Sequence, residues 1–193
     1  MNCYFIRHGE IASNRIKVYS GRSDEALTDA GRQQVKAARD QLAALDIDAI
    51  FCSPLTRTRE TAAILVEQLD WNLPLHIDDS FNEIKMGPWE GRSEADVASR
   101  YPEQWTLWNT RPADLELQGR ETLQQLQDRV LDGLRRIDRD YEYESILIVT
   151  HVAVIRTLSL YANGLELNRY KSVPVANAEV FTFGNLGIFQ GSA

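Results

Sequence analysis

The chain has 193 residues, 44% of them hydrophobic and 25% charged, which suffices for one good core in an ordinary globular protein. Its 28 acidic residues outweigh 21 basic ones for a formal net charge of -7, the opposite of the basic balance a nucleic-acid binder carries. No run approaches the roughly 20 apolar residues of a membrane span, and Met1–Ile6 lacks the basic start of a secretory leader. The expectation is a cytoplasmic protein with no nucleic-acid or membrane partner, whose two cysteines, Cys3 and Cys52, are reduced core thiols.

In chain order, "NCYFIRHGEIASN" opens with an apolar run that ends abruptly at Arg7-His8. Charged groups at the end of a core strand are costly unless something pairs with them. "LTDAGRQQVKAARDQLAAL" predicts a helix with Thr28 as N-cap and Val35, Ala38, Leu42 and Leu45 on one face. "DAIFCS" is a short buried strand ending at Ser53-Pro54, and "LTRTRETAAILVEQL" returns to helical spacing through Ala62, Leu65 and Leu69. His76, in "LPLHID", fits no motif and is expected to be structural or exposed.

The stretch from 84 to 121 is irregular and holds three of the four tryptophans, Trp89, Trp105 and Trp108. It predicts a lid-like insertion in a single domain spanning 1–193. Trp105 and Trp108 are expected to form the insertion's own small core, and Trp89 to come closer to a substrate. The longest helix runs from about Glu121 to Glu142 on a stripe of Leu123, Leu126, Val130, Leu134, Ile137 and Tyr141. "SILIVT" is a continuous run expected of a central strand covered on both faces, and "VAVIRTLSLYANG" a helix stopped by Asn163-Gly164. The tail "AEVFTFGNLGIFQ" looks like two strands around a Gly-Asn turn. Strand and helix alternate, so the class is α/β, with helices on both faces of a mostly parallel sheet.

Three buried strands therefore stop at polar residues: Ile6 before Arg7-His8, Cys52 before Ser53 and Arg57, and Val149 before Thr150-His151. Ligands of open α/β sheets bind beyond the carboxyl ends of the strands. If the strands are parallel neighbours, two guanidiniums and two imidazoles converge on one small tetrahedral anion, because arginine forks match phosphate oxygens. The spacing of His8, His76 and His151 offers no paired metal-ligand motif, so no metal and no cofactor are expected. Cys52 followed by Arg57 has four residues between them where a cysteine-phosphatase loop has five, and a core thiol is the better reading.

"RHGE", Asn14, "SPLTRTRETA", "NEIKMGPWEG" and "THVAVIR" together resemble the histidine phosphatase superfamily, in that family's order over nearly the whole chain. The resemblance implies the phosphoglycerate-mutase-like fold, a three-layer α/β/α sandwich whose mostly parallel sheet has an antiparallel edge strand. It implies that His8 takes the phosphoryl group as a phosphohistidine and that Arg7, Arg57 and His151 hold its oxygens, with Asn14 as a further pocket residue. Glu83 falls where the family keeps its proton donor. Val152 and Ala153 replace the small residues common after the second histidine, and Val152 is expected to offer the anion a backbone amide at a helix start.

Mutases of the family usually run longer and carry extra basic residues after the acid, which "IKMGPWEGRSEADV" does not. The expected activity is hydrolysis of a small phosphorylated metabolite, with α-ribazole 5'-phosphate as a candidate, by a monomer or homodimer. A cofactor-dependent phosphoglycerate mutase is the alternative, and a non-catalytic phosphate-binding module a further one.

Overall fold

The computed structural model describes residues 1–183 and 186–187. Strand β1 (Asn2–Arg7) is followed by helices α1 (Ala12–Arg15), α2 (Asp29–Ala37) and α3 (Arg39–Ala43), then β2 (Ala49–Cys52), α4 (Thr56–Leu69) and β3 (Leu75–Ile77). Helices α5 (Glu94–Arg100), α6 (Pro102–Thr110) and α7 (Leu123–Asp140) lead to β4 (Ser145–Thr150), α8 (Val152–Ala162) and β5 (Val180–Phe183). The strands order as β3-β2-β4-β1-β5. Every pairing is parallel except β1 with β5, so the antiparallel strand lies at the edge as the resemblance implied.

Alternation along the strands sorts the core into two layers. Ile146 and Ile148 of β4 pack with Cys3, Phe5 and Phe51 against Leu126, Val130 and Leu134 of α7. Leu147 and Val149 point the other way, with Ile6, Ile50 and Cys52, against Val35, Leu42 and Leu65 of α2, α3 and α4. All six residues of β4 are buried, which explains its unbroken apolar run. Cys3 and Cys52 are buried and unpaired, on opposite faces of the sheet.

Thr28 caps α2 by accepting from the Gly31 amide. The single helix expected through Leu45 is broken at Ala38, whose amide is shared between the carbonyls of Gln34 and Val35 at 3.2 and 3.1 Å. That tightened turn still leaves Val35, Ala38 and Leu42 in the same core layer. Strand β3 has no counterpart among the expected elements: it has three residues, at the sheet edge, with Leu75 and Ile77 exposed, too short for an alternation to show. His76 on it is structural, stacked at 4.6 Å on Phe51 and bonded through Nε2 to the Tyr143 hydroxyl at 3.2 Å. The first strand of the expected tail hairpin is β5; its turn at Gly184-Asn185 and its second strand lie largely outside the described residues. Among the described residues no helix is long and apolar enough to cross a membrane.

Two close backbone approaches pin distant segments of the chain to one another. Gly9, just after β1, lies against the start of α2, where an added Cβ would sit 2.4 Å from the Gly31 carbonyl oxygen and 3.0 Å from Val35. Gly9→Ala should therefore cost about 1–3 kcal/mol of stability, lowering the melting temperature by about 5 °C; a calorimetric scan of the variant checks it. Gly87 similarly packs on the Gly119–Arg120 backbone, which ties together the two ends of the segment carrying α5 and α6.

That segment corrects one expectation. Trp89 is 0% exposed and sits at the centre of an aromatic cluster, 5.7 Å from Tyr19 and 6.3 Å from Trp108 between ring centres. Trp108, expected inside, is the one that also borders the central cavity. Gly87 at φ +60 starts the tight turn Gly87–Trp89, and that turn directs the indole inward.

Candidate active site

The register Arg7 to Thr150 in β1 and β4, and Cys52 to Val149 in β2 and β4, brings the three polar strand ends side by side. The rings of His8 and His151, 143 positions apart in sequence, lie 5.2 Å apart between centres. His8 borders a cavity of about 360 Å³, which Arg7, Asn14, Glu83 and Val152 line together with it. Arg57 and His151 are 0% exposed and stand immediately behind it.

His8 is held as a neutral imidazole. Its Nδ1 donates to the Gly9 carbonyl at 2.7 Å, which leaves the lone pair on Nε2. Burial, and then the charges of Arg57 and Arg7, hold its pKa well below the ordinary imidazole value, so the ring stays unprotonated at neutral pH. Arg7 donates through one terminal nitrogen to the Val175 carbonyl at 2.8 Å, while its buried Nε meets no acceptor among the described residues. A buried donor without a partner is costly, and an anion oxygen would relieve it.

His151 caps α8 and is fixed from both sides. Its Nε2 meets Ser53 Oγ at 2.7 Å, and Ser53 in turn meets Thr58 Oγ1 at 3.0 Å. Nδ1 accepts from Arg57 Nε at 3.3 Å, which assigns the ring proton to Nε2. The terminal nitrogens of Arg57 donate to the Ser23 and Gly21 carbonyls at 2.6 and 2.8 Å. This guanidinium therefore joins the loop before α2 to the second histidine.

Glu83 arrives from the turn Asp79–Phe81, which Thr150 Oγ1 anchors by donating to the Phe81 carbonyl at 2.7 Å. Arg22 Nε donates to the Glu83 backbone carbonyl at 3.0 Å. The carboxylate accepts from the Ile84 amide at 2.9 Å and from the Ala153 amide at the start of α8. Burial raises its pKa above the ordinary carboxyl value, against the opposing pull of those amides, Arg57 and Arg7. Asn14 commits its side-chain oxygen to the Ile11 amide at 3.3 Å and to Asn177 Nδ2 at 3.1 Å, leaving its NH2 as the end an anion could use.

The sequence did not single out Ser53, Arg156, Tyr170 or Lys171, the last three of which also line the cavity. Arg156 had a signal: it lies four residues beyond Val152, one helical turn along the same face of α8. Tyr170 and Lys171 enter from the turn Leu167–Ser172, where no periodicity marks them.

A family model described as "Histidine phosphatase superfamily (branch 1)" matches residues 3–184. "Phosphoserine phosphatase 1" of Hydrogenobacter thermophilus is 30% identical over 90% of this chain and 81% of its own length. "Adenosylcobalamin/alpha-ribazole phosphatase" of Salmonella typhimurium is 32% identical over 82% of this chain and 77% of its own. Among solved structures, Bacillus stearothermophilus YhfR superposes with a TM-score of 0.87 at 29% identity, covering 94% of this chain and 89% of that one.

Proposed function

The chain belongs to the histidine phosphatase superfamily, and we propose on that premise that it hydrolyses the phosphomonoester of a small metabolite through a phosphohistidine on His8. The observation that carries this reading is the state of His8: a neutral imidazole with its proton fixed on Nδ1, within the field of the Arg57 and Arg7 guanidiniums. In the first step His8 Nε2 forms a bond to phosphorus as the ester P–O bond breaks. Glu83, protonated, gives its proton to the departing oxygen. In the second step the Glu83 carboxylate takes a proton from water as the water oxygen bonds to phosphorus. The P–N bond then breaks, phosphate leaves, and His8 and Glu83 are restored.

Charge spread over the three equatorial oxygens of the transferring group is met by Arg7 and Arg57, with His151 fixed beside them. The segment 84–121 acts as a lid within one domain, presenting Met86, Glu94 and Trp108 to the cavity. α-Ribazole 5'-phosphate and phosphoserine are among the substrates that the names of similar proteins suggest, and both are small monoesters. Two buried free thiols suit a reducing cytoplasm.

Rapid quench with a 32P-labelled monoester tests the mechanism: an acid-labile phosphoenzyme should appear and decay to inorganic phosphate. Label passing mainly to 3-phosphoglycerate would make the protein a mutase. Glu83→Gln should lower kcat for an alkyl phosphate by about 10²–10⁴-fold, and much less for p-nitrophenyl phosphate, whose leaving group needs no proton. Turnover needs Glu83 protonated, and burial keeps it so to higher pH than an ordinary carboxyl. The alkaline limb of the kcat profile should accordingly follow Glu83 and vanish in the Gln variant; equal losses on both esters would rule out the proton-donor role.

A further inference from the structure

The end of β1 is gripped by residues 175–179, the stretch that leads into β5. The Val175 carbonyl accepts from the Arg7 guanidinium at 2.8 Å, and the Glu179 carbonyl from the Arg7 amide at 3.2 Å. The Ala178 amide is shared between the Arg7 and His8 carbonyls at 3.1 and 3.3 Å. Ala178 makes these bonds at φ +55, a left-handed conformation that is unfavourable for a residue with a Cβ. Such strain persists only where the surrounding contacts over-determine the backbone.

Asn177, next to it, lies 169 positions beyond His8 and 163 beyond Asn14, and it bonds both. Its Nδ2 gives one proton to the His8 carbonyl and the other to Asn14 Oδ1, each at 3.1 Å. Asn14 Oδ1 accepts a second time, from the Ile11 amide at 3.3 Å. A backbone carbonyl only accepts and a backbone N–H only donates. Turning Asn177 over would set its oxygen against the His8 carbonyl, and turning Asn14 over would set its NH2 against two donors. Both amides are thereby fixed, and the end of Asn14 directed away from these donors is its NH2. Asn14 lines the main cavity, whereas Asn177 lines a neighbouring one of about 280 Å³. We propose that Asn177 is a positioning residue for the phosphoryl site. It holds Asn14 in the orientation that offers donors, not a carbonyl oxygen, to an anion, and it braces the His8 backbone with the same NH2. This deepens the phosphatase reading and rests on it.

The test is a double-mutant cycle read on the binding of inorganic phosphate by titration calorimetry, which needs no turnover. Asn177→Ala should weaken phosphate binding about tenfold, the scale of one hydrogen bond to a charged group. In an Asn14→Ala background the same change should alter it by less than about twofold, because the group through which Asn177 acts is gone. A residue that only supports the fold would cost the same in both backgrounds, and equal losses would overturn the proposal. Asn14→Asp approaches the orientation from the other side. It keeps an oxygen for both donors but turns a second oxygen to the cavity in place of NH2. That variant should melt close to the wild type and bind phosphate about a hundredfold more weakly, as like charges brought together would. Phosphate affinity near that of the wild type would overturn the assignment even if Asn177→Ala failed to fold. Hydrolysis of p-nitrophenyl phosphate by the wild type tests the phosphatase reading separately. Turnover with equal losses in the two backgrounds removes only the positioning role, and a coupled cycle without turnover removes only the hydrolase.

Discussion

His8→Ala is expected to lower kcat for p-nitrophenyl phosphate by about 10⁵-fold or more, the scale on which removal of a covalent nucleophile acts. The ring is buried and its Nδ1 is tied to the Gly9 carbonyl, so neither water nor a neighbouring side chain can adopt its position with the same alignment. His151, 5.2 Å away between ring centres, cannot substitute, because both its nitrogens are occupied by Ser53 and Arg57. The backbone of residue 8 keeps its own bonds, from its amide to the Thr150 carbonyl at 3.0 Å and from the Ala178 amide to its carbonyl at 3.3 Å. The variant should therefore fold, and an unchanged circular dichroism spectrum together with lost turnover and lost 32P labelling is the expected result. Residual activity within a hundredfold of wild type would transfer the nucleophile to another group.

Arg57→Ala is the second large effect, and it acts on fold and chemistry at once. The guanidinium is fully buried and serves three acceptors: the Gly21 and Ser23 carbonyls and His151 Nδ1. Alanine would leave all three without a donor in a site that water does not freely reach. The expected loss is about 3–5 kcal/mol of unfolding free energy, or roughly 10 °C in melting temperature for a chain of this size. The loop carrying Gly21 and Ser23 would loosen, and the second histidine would lose the bond that sets its tautomer. Loss of one charge from the phosphoryl site should lower kcat/KM by a further factor of about 10²–10³. Arg57→Lys separates the two roles: it keeps a positive charge, which limits the loss of stability, but cannot span three acceptors, so activity should stay low. Urea melts and kcat/KM for both variants decide it; a Lys variant with full activity would show that charge alone matters.

Much of the site was legible because its residues adjoin strands whose apolar runs are strong signals. β1, β2 and β4 are nearly continuous hydrophobic segments, and each breaks at polar residues that the fold brings side by side, at Arg7-His8, Ser53 and Thr150-His151. Glu83 was identified through the family resemblance rather than through any pattern of its own, since it follows a short turn anchored by Thr150. Strand β3 escaped notice because three edge residues with exposed side chains carry no alternation, and Ala38 because a local tightening leaves the helical spacing of its neighbours intact.

From its amino acids alone, the chain set the α/β alternation, the three polar strand ends and the cationic and imidazole groups they share, since periodicity and residue type act locally and survive in one dimension. Tertiary structure alone decided which groups border open space and which stand behind it: Trp108 rather than Trp89, Arg7 rather than Arg57. It also decided that Arg156 and Lys171, from two distant segments, face the same cavity. Burial and the field at a point are sums over neighbours that the chain brings together only on folding, and no short stretch of sequence contains them.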